Sequence, residues 1–286
     1  MPHTATVTRF APSPTGLLHL GNAYSALYCE RAARRRGGRF LVRIEDIDRG
    51  RCRPEHETAM LQDLAWLGLD WETPVRRQSE HMADYAAALD RLAALGVSYP
   101  CFCTRKQIIR EIAASPSAPH GPDGPIYPGT CRRLSAAERE ERIAAGQAFA
   151  VRLDVEAAAT RVGPGLSWTD RQAGLQTLNA GLHGDVVLAR KDTPTSYHLA
   201  VTVDDARQGI TLVTRGLDLF PSSHVHRLLQ ALLELPTPAY EHHRLLRDDA
   251  GLRLSKGGQA IGIRRLREDG IDAAEIRRRL GFDGSD

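Results

Sequence analysis

The sequence of 286 residues lacks any uninterrupted apolar run of about 18 residues, the length that would cross a membrane. Its first ten residues, MPHTATVTRF, also lack the charged and then apolar layout of a signal peptide. We therefore expect a cytoplasmic protein without a membrane partner. Cysteine is scarce as well: five residues, an odd number, in a chain without an export signal argue against a disulfide framework and favour metal binding or simple burial.

Composition indicates a folded globular chain but does not select a partner. Hydrophobic residues make up 42% of the sequence, enough for one large α/β domain with an insertion or for two smaller domains. The 38 Lys and Arg residues exceed the 35 Asp and Glu residues by three. This mildly basic balance permits an RNA partner without requiring one, because such surfaces are common among proteins that bind no nucleic acid.

Hydrophobic periodicity predicts an α/β fold. The patterns indicate a strand in TATVTRF, a helix over residues 21–36 and a strand in RFLVRIED. Strand, helix and strand in this order form a crossover unit of a parallel sheet. Two amphipathic helices are predicted next, within PEHETAMLQDLAWLGL and EHMADYAAALDRLAALG.

The second half of the chain follows a stretch rich in proline, glycine and cysteine at residues 98–133, which we expect to form an inserted subdomain. Strands are predicted within AFAVRLDV and DVVLARKD. Residues 196–216 predict two alternating apolar runs joined by a turn at the adjacent Asp204 and Asp205. Helices are predicted within SSHVHRLLQALLELP and IDAAEIRRRLG.

The stretch RFAPSPTGLLHLGN, residues 9–22, predicts a phosphate-binding loop. A proline-fixed loop that leaves a parallel strand and enters a helix lies at the carboxyl edge of the sheet, where α/β folds bind ligands. The first helical turn presents free N–H groups and the positive end of the helix dipole. His19 and Asn22 add side-chain donors, and Gly21 lets a nucleotide base approach the backbone. An ordinary loop with a capping asparagine is an equally good interpretation of this stretch alone.

A second stretch, LRLSKGG at residues 252–258, carries Arg253, Ser255 and Lys256 between glycines. Alone it is typical of a solvated turn. Together with HLGN, however, it resembles the paired HIGH and KMSKS sequences of class I aminoacyl-tRNA synthetases, which flank the ATP phosphates. The glutamyl/glutaminyl branch of this class carries its motifs in the order in which RFAPSPTGLLHLGN, RIEDID and VTVDDARQGITLVTRGLDL occur here. The resemblance therefore covers almost the whole chain.

This resemblance implies a fold and a domain division. We expect a Rossmann-like parallel-sheet catalytic domain with an inserted zinc-binding, acceptor-like subdomain, a short helical C-terminal part and no anticodon-binding domain. The implied boundaries are residues 1–97 for the first half of the catalytic domain, 98–133 for the zinc-binding insertion, 134–220 for the rest of the insertion and the second catalytic half, and 221–286 for the helical part with the KMSKS-like loop.

The resemblance also implies which residues bind the substrates. Arg9 and Ser13 contact glutamate, Glu45 pairs with its ammonium group, and Tyr197 and Arg215 complete the pocket. The full expected glutamate set is Arg9, Phe10, Ala11, Pro12, Ser13, Glu45, Tyr197 and Arg215. An arginine suits a carboxylate and a carboxylate suits an ammonium group, although a surface ion pair is the simpler interpretation of any one of these charges.

ATP, with magnesium bridging its phosphates, is the expected second substrate. The implied ATP-binding residues are His19, Gly21, Asn22, Arg253, Leu254, Ser255 and Lys256. Of these, His19 and Lys256 are the expected catalytic residues, because they can stabilise charge that develops on the phosphates. The KMSKS pattern ends here in Gly257 and therefore lacks its final hydroxyl.

The insertion contains a candidate metal site. Cys101, Cys103 and Cys131 with one further ligand would form a closed tetrahedral zinc site of structural type, one per chain. Chemistry alone favours a histidine as the fourth ligand, and His120 lies in the intervening loop. The resemblance instead implies Tyr127, since relatives carry a Cys-x-Cys pair followed by Tyr-x-x-x-Cys. The two remaining cysteines, Cys29 and Cys52, are interpreted as buried or incidental thiols.

Length narrows the expected activity within the branch, because the chain ends about thirty residues after RLSKG. The resemblance implies a monomeric, truncated member that activates L-glutamate without tRNA and attaches it to the queuosine base in the anticodon loop of tRNA(Asp). One alternative is a minimal glutamyl-tRNA synthetase that charges a 3′ terminal adenosine. Another is a catalytically silent paralogue that binds RNA or a partner protein, which the presence of His19 and Lys256 disfavours.

Overall fold

The computed structural model describes residues 5–113, 120–122, 124–246 and 262–283. The first part of the chain alternates strands and helices. Its elements are β1 (Val7–Phe10), α1 (Leu20–Arg34), β2 (Arg39–Ile44), α2 (Pro54–Trp66), β3 (Glu72–Arg77) and α3 (Met82–Ala94). The three strands are parallel, with Val7 opposite Arg39 and Leu41 opposite Glu72, which confirms the predicted crossover unit.

The middle of the chain contributes a separate antiparallel sheet of three strands, together with two strands that join the sheet of the last part. Its elements are β4 (Ser98–Cys101), α4 (Arg105–Ala113), β5 (His120–Gly121), β6 (Gly124–Pro125), α5 (Ala136–Ala144), β7 (Ala150–Leu153), α6 (Val155–Val162), β8 (Ser167–Asp170), β9 (Gly174–Thr177) and β10 (Val187–Ala189). Strand β7 pairs antiparallel with both β4 and β10. The short strands β5 and β6 pair with each other, and β8 pairs antiparallel with β9.

The last part returns to the parallel arrangement. Its elements are α7 (Tyr197–Arg207), β11 (Leu212–Gly216), α8 (Ser222–Leu232), β12 (Ala239–His243), α9 (Ile263–Glu268) and α10 (Ala273–Arg279). Strand β12 pairs parallel with β11 on one side and, at Tyr240 and Asp170, with β8 on the other. No helix within the described ranges is long and apolar enough to cross a membrane.

Strands β1 and β11 lie side by side and join the two groups of parallel strands. The backbone N–H of Val7 donates to Thr211 Oγ1 at 2.8 Å, and the N–H of Thr211 donates to the carbonyl of Val7 at 3.1 Å. The chain crosses from β1 to β2 on one side of this junction and from β11 to β12 on the other side. In open α/β sheets the crevice at the carboxyl ends of such strands is the usual ligand site.

Apolar layers cover both faces of this sheet. One contains Leu27 of α1, Leu64 of α2 and, from the C-terminal helices, Ile263 and Ile276. The other contains residues of α3, α7 and α8, among them Tyr85. The last helices therefore pack against the first crossover unit and return the chain to the start of α1, where the N–H of Ile263 donates to the carbonyl of Leu18 at 2.9 Å.

The predicted turn at Asp204 and Asp205 is wrong, because both residues lie inside α7 and are buried. Aspartate favours turns when its carboxylate can bond to nearby backbone or water. Here the carboxylate of Asp204 instead accepts hydrogen bonds from Arg76 Nε at 2.7 Å, Gln78 Nε2 at 2.8 Å and Tyr85 OH at 2.9 Å. Partners that are distant in sequence thus outweigh the local preference.

Replacing Asp204 by alanine should destabilise the fold strongly. The change leaves Arg76 Nε, Gln78 Nε2 and Tyr85 OH without this acceptor, although Arg76 keeps its bond to Asp84. Breaking a buried pair costs about 3 to 5 kcal/mol. Urea unfolding followed by circular dichroism measures the loss. Glu72→Ala, which removes an exposed partner of Arg39, is the matched control and should change stability little. Equal stability of the two variants would contradict the structural role of Asp204.

Candidate functional site

A cavity of about 450 Å³ opens where β1 and β11 end and α1 begins. It is lined by the whole expected glutamate set and by the N-terminal residues of the expected ATP set. These are Arg9, Phe10, Ala11, Pro12, Ser13, Glu45, Tyr197 and Arg215, with His19, Gly21 and Asn22. The remaining expected ATP residues, Arg253, Leu254, Ser255 and Lys256, and the adjacent Gly257 lie outside the described residues.

Both ends of the segment that carries these residues reach the cavity. Leu246, the last described residue before it, lines the cavity wall. Gly262, the first described residue after it, forms an isolated antiparallel bridge with His19. The described residues on either side of RLSKG therefore lie at the cavity wall and beside His19.

His19 is the N-cap of α1. Its Nδ1 accepts a hydrogen bond from the backbone N–H of Asn22 at 3.3 Å, and Asn22 Oδ1 accepts from the N–H of His19 at 3.2 Å. A neutral imidazole that accepts at Nδ1 carries its proton on Nε2. The capping box thus fixes the tautomer that can donate to an anion, and Asn22 serves mainly to hold His19.

Arg9 at the end of β1 is buried and paired. Its Nε and Nη2 donate to the two carboxylate oxygens of Asp205 at 2.9 and 3.2 Å, and its Nη1 donates to the carbonyl of Thr214 at 3.2 Å. Burial alone would lower the pKa of Arg9, but the charge of Asp205 outweighs it and the pKa lies above its usual value. Arg9 is therefore a fixed cation at the base of the cavity.

Arg43 in β2 connects this pair to Glu45. The Nη1 of Arg43 donates to Asp205 at 2.8 Å, and its Nη2 donates to Glu45 Oε1 at 3.2 Å. Burial raises the pKa of Glu45, although the positive charge of Arg43 opposes the shift. Backbone bonds hold Glu45 against the loop after β1, since its N–H donates to the carbonyl of Pro12 at 2.9 Å and its carbonyl accepts from Ser13 Oγ.

Arg215 at the end of β11 has a different environment. Its guanidinium donates to His242 Nε2 at 3.2 Å, to His226 Nδ1 at 3.1 Å and to Ser223 Oγ at 2.8 Å, and Tyr197 OH lies 3.4 Å from Nη1. Arg215 is only 5% exposed. Within the described ranges it forms no ion pair with a carboxylate, so a buried positive charge faces the cavity without an anion.

The two histidines are held neutral. Burial and the charge of Arg215 lower the pKa of His242 to about 4, although its bond to Asp170 opposes the shift. The same two causes hold the pKa of His226 well below its usual value. Near neutral pH both imidazoles can therefore accept hydrogen bonds from Arg215 without adding positive charge.

A second cavity, of about 570 Å³, meets the first at Ser13, Glu45 and Tyr197. Its other walls come from the segment after β2, from the middle part of the chain and from the start of α7. They include Tyr127, Arg152, His183, Asp185, Ser196 and His198. A ligand bound at Glu45 is therefore accessible from the side of the cysteine-bearing insertion.

The predicted metal ligands converge in that insertion. The sulfur atoms of Cys101, Cys103 and Cys131 lie within 4.8 Å of one another, with Cys103 and Cys131 only 3.4 Å apart. Tyr127 OH lies 3.4 Å from Cys101 Sγ and 3.5 Å from Cys103 Sγ. Zn–S bonds of about 2.3 Å in a tetrahedron separate the ligand atoms by roughly 3.8 Å. The four side chains have the donor types and approximate spacing for one metal ion.

The remaining cysteines lie outside this cluster. Cys29 is buried under β11, where its sulfur accepts from Thr214 Oγ1 at 2.6 Å, and burial raises the pKa of its thiol to about 11. Cys52 is partly exposed. Cys29 therefore fits the interpretation of a buried structural thiol.

Sequence reasoning missed several residues that hold the predicted ones. Asp205 was assigned to a turn, and Arg43, Asp170, His226 and His242 were not singled out. The only signal for them was a charged residue within an otherwise apolar run, as at Arg43 in RFLVRIED. Such a residue on a buried strand must find a partner, but the pattern does not say where that partner lies.

Comparisons with known proteins agree with this geometry. The family model described as tRNA synthetases class I (E and Q), catalytic domain, matches residues 5–282. A Glutamyl-Q tRNA(Asp) synthetase of Rhodobacter capsulatus is 47% identical, covering 96% of this chain and 100% of that protein. One from Symbiobacterium thermophilum is 43% identical, covering 96% of this chain and 85% of that protein.

A solved structure shows the same fold. The crystal structure of a glutamate-tRNA synthetase from Elizabethkingia anophelis superposes with a TM-score of 0.76 at 27% sequence identity. The match covers 93% of this chain and 54% of that one, so the chain spans about half the length of this solved relative.

Proposed function

The chain belongs to the family of class I tRNA synthetases (E and Q), catalytic domain, and we propose that it activates L-glutamate with ATP and transfers it to queuosine in the anticodon loop of tRNA(Asp). The observation that carries the glutamate assignment is the buried charge of Arg215, which faces the same cavity as Glu45. An amino acid with two carboxylates and one ammonium group supplies the anion that Arg215 lacks and a cation that Glu45 can bind beside Arg43.

In the activation step, a carboxylate oxygen of glutamate attacks the α-phosphorus of ATP and pyrophosphate leaves. No protein nucleophile takes part, so positioning and charge stabilisation supply the rate. Glu45 and Arg215 hold the amino acid, and the N-terminus of α1 with His19 Nε2–H binds phosphate oxygens. Lys256 stabilises the charge that develops on the leaving pyrophosphate, and ATP would enter the site as its magnesium complex.

In the transfer step, a hydroxyl of the queuosine cyclopentenediol attacks the carbonyl carbon of the adenylate. An ester bond forms, AMP leaves and the hydroxyl proton is released. The nucleoside reaches the carbonyl through the second cavity, which meets the glutamate cavity at Glu45 and Tyr197. The two curated relatives described above carry the name of this reaction.

We further propose that Cys101, Cys103, Cys131 and Tyr127 hold one structural zinc ion. Burial raises the pKa of Cys103 to about 11 and that of Tyr127 above its usual range. A bound cation would let these groups ionise, and the N–H of Cys131, which donates to Tyr127 OH at 2.9 Å, supports a phenolate. The metal would stabilise the loop that forms one wall of the second cavity.

Glutamate-dependent exchange between ATP and pyrophosphate should proceed without tRNA, and Lys256→Ala should slow it severely. Removing one charge-stabilising donor costs about 3 to 4 kcal/mol, roughly a hundred- to a thousandfold in rate. Labelled pyrophosphate incorporation into ATP measures the rate. Lys106→Ala, which changes an exposed lysine on α4, is the matched control. Unchanged exchange in Lys256→Ala would remove RLSKG from the ATP site.

Purified protein prepared without chelators should contain about one zinc ion per chain, and Cys103→Ser should lose it. The remaining ligands would no longer close the tetrahedron, so the loop around Tyr127 should become susceptible to protease while the parallel sheet persists. Elemental analysis and limited proteolysis give the readouts. Cys52→Ser, outside the cluster, should keep its zinc. Metal-free wild-type protein, or full zinc content in Cys103→Ser, would refute the site.

Labelled glutamate should be transferred to tRNA(Asp) that contains queuosine and not to tRNA(Asp) that lacks it. A site built to hydrogen-bond the diol leaves polar groups unpaired when the diol is missing, which can reject the unmodified tRNA by about 10⁴ or more. Removing the terminal adenosine should leave this transfer intact. Efficient labelling of tRNA(Glu) that is lost with its terminal adenosine would instead favour a minimal glutamyl-tRNA synthetase.

A further inference from the structure

The contacts of Arg215 differ in kind from those of Arg9, although both guanidinium groups are buried beside the same cavity. Arg9 forms a two-bond ion pair with Asp205. Arg215 instead donates to two imidazoles and two hydroxyls, those of His226, His242, Ser223 and Tyr197. Burying a guanidinium among neutral acceptors is costly unless an anion completes the site. The groups that hold these acceptors in place therefore determine the orientation of the Arg215 guanidinium toward a ligand.

His242 accepts from Arg215 only in one tautomer. Its Nε2 lies 3.2 Å from the N–H at Arg215 Nε and must therefore carry no proton. The proton of the neutral ring then lies on Nδ1, which is 2.7 Å from Asp170 Oδ2. The carboxylate of Asp170 thus selects the tautomer that Arg215 requires.

The backbone in turn orients Asp170. Its Oδ1 accepts from the N–H groups of Gln172 at 2.9 Å and Ala173 at 2.8 Å, and its Oδ2 accepts from the N–H of His242 at 3.2 Å. Side-chain exposure is 1% for both Asp170 and His242. An unbroken series of hydrogen bonds therefore runs from the turn after β8, through β12, to the guanidinium at the cavity.

We propose that Asp170 and His242 are positioning residues for the glutamate carboxylate: they orient Arg215 through a neutral imidazole, so that its charge is left for the substrate. The proposal rests on the proposed function, because it concerns the same glutamate site. A carboxylate in direct contact with Arg215 would compete with the substrate, as Asp205 occupies two N–H groups of Arg9. An imidazole between Asp170 and Arg215 supplies the hydrogen bond without that competition.

A different role for Asp170 makes the opposite prediction. If Asp170 acted mainly as a countercharge that weakens the positive potential at Arg215, removing its charge would strengthen the attraction of an anion. If it acts by selecting the tautomer, removing its charge weakens glutamate binding, because His242 would present an N–H toward the N–H of Arg215. The direction of the change in KM therefore separates the two roles.

The deciding experiment measures ATP–pyrophosphate exchange over a range of glutamate concentrations in wild type and Asp170→Asn. We expect the KM for glutamate to rise roughly tenfold to a hundredfold, the effect of losing one hydrogen bond to a charged group, with kcat changing far less. A lower or unchanged KM in Asp170→Asn would overturn the proposal. Wild-type protein that shows no glutamate-dependent exchange would overturn the proposed function itself.

Two changes at His242 test the same idea without touching Asp170. His242→Gln retains an amide donor for Asp170 and an amide oxygen for Arg215, and its KM should stay near that of wild type. His242→Leu removes both and should raise the KM as Asp170→Asn does. The proposal fails if His242→Leu binds glutamate as wild type does.

His224→Leu is the matched control for the loss of a buried histidine. His224 lies on α8 and accepts from Trp168 Nε1 at 3.3 Å and from the N–H of Asn179 at 3.1 Å, but does not contact Arg215. It should lower the thermal unfolding temperature and leave the KM for glutamate unchanged. A KM increase in His224→Leu equal to that in His242→Leu would reduce the effect to general destabilisation and overturn the positioning role.

Discussion

The arrangement of the site depends on the ion pairs that the buried carboxylate of Asp205 forms with two arginines. Asp205 lies in α7 and accepts hydrogen bonds from Arg9 of β1 and Arg43 of β2, so one buried anion joins the first crossover unit to the second half of the chain. The charges of the two arginines hold the pKa of Asp205 below its usual value, although burial opposes the shift. Because Arg43 also contacts Glu45, the same network fixes the acidic side of the cavity.

Two of the arginines that line the cavity, Arg9 and Arg215, therefore differ in how far the protein neutralises their charge. Arg9 is neutralised by the protein and contributes mainly shape and position, whereas Arg215 is surrounded by neutral acceptors and keeps its charge for a ligand. This asymmetry suits a substrate that carries one more negative than positive group, since the protein supplies the missing counterion only where the ligand binds. It also places the charge of Arg215 at the carboxyl end of β11.

The second cavity gives the antiparallel insertion a functional position. Tyr127 belongs both to the four-residue donor cluster and to the wall of this cavity. Lys191 donates to the carbonyl of Phe102 at 2.9 Å, and Tyr99 OH donates to Asp185 at 2.5 Å, so the insertion is attached to the segment that leads into α7. These contacts therefore connect the loop that carries the cysteine cluster to the wall of the second cavity.

The sequence by itself determined the crossover unit and the helices α1, α2, α3, α8 and α10, because hydrophobic periodicity depends on neighbours along the chain. The residues that the family resemblance implied for glutamate also line the first cavity. HLGN placed His19 and Asn22 at the start of the helix, but it suggested the asparagine as the capping residue, whereas the structure makes His19 the N-cap. Only the tertiary structure decided the environments of the charged groups: Asp205 meets Arg9 across 196 positions, and Asp170 reaches Arg215 through His242. Local pattern reports which residues are buried, whereas the partner of a buried charge is selected by strand order and helix packing.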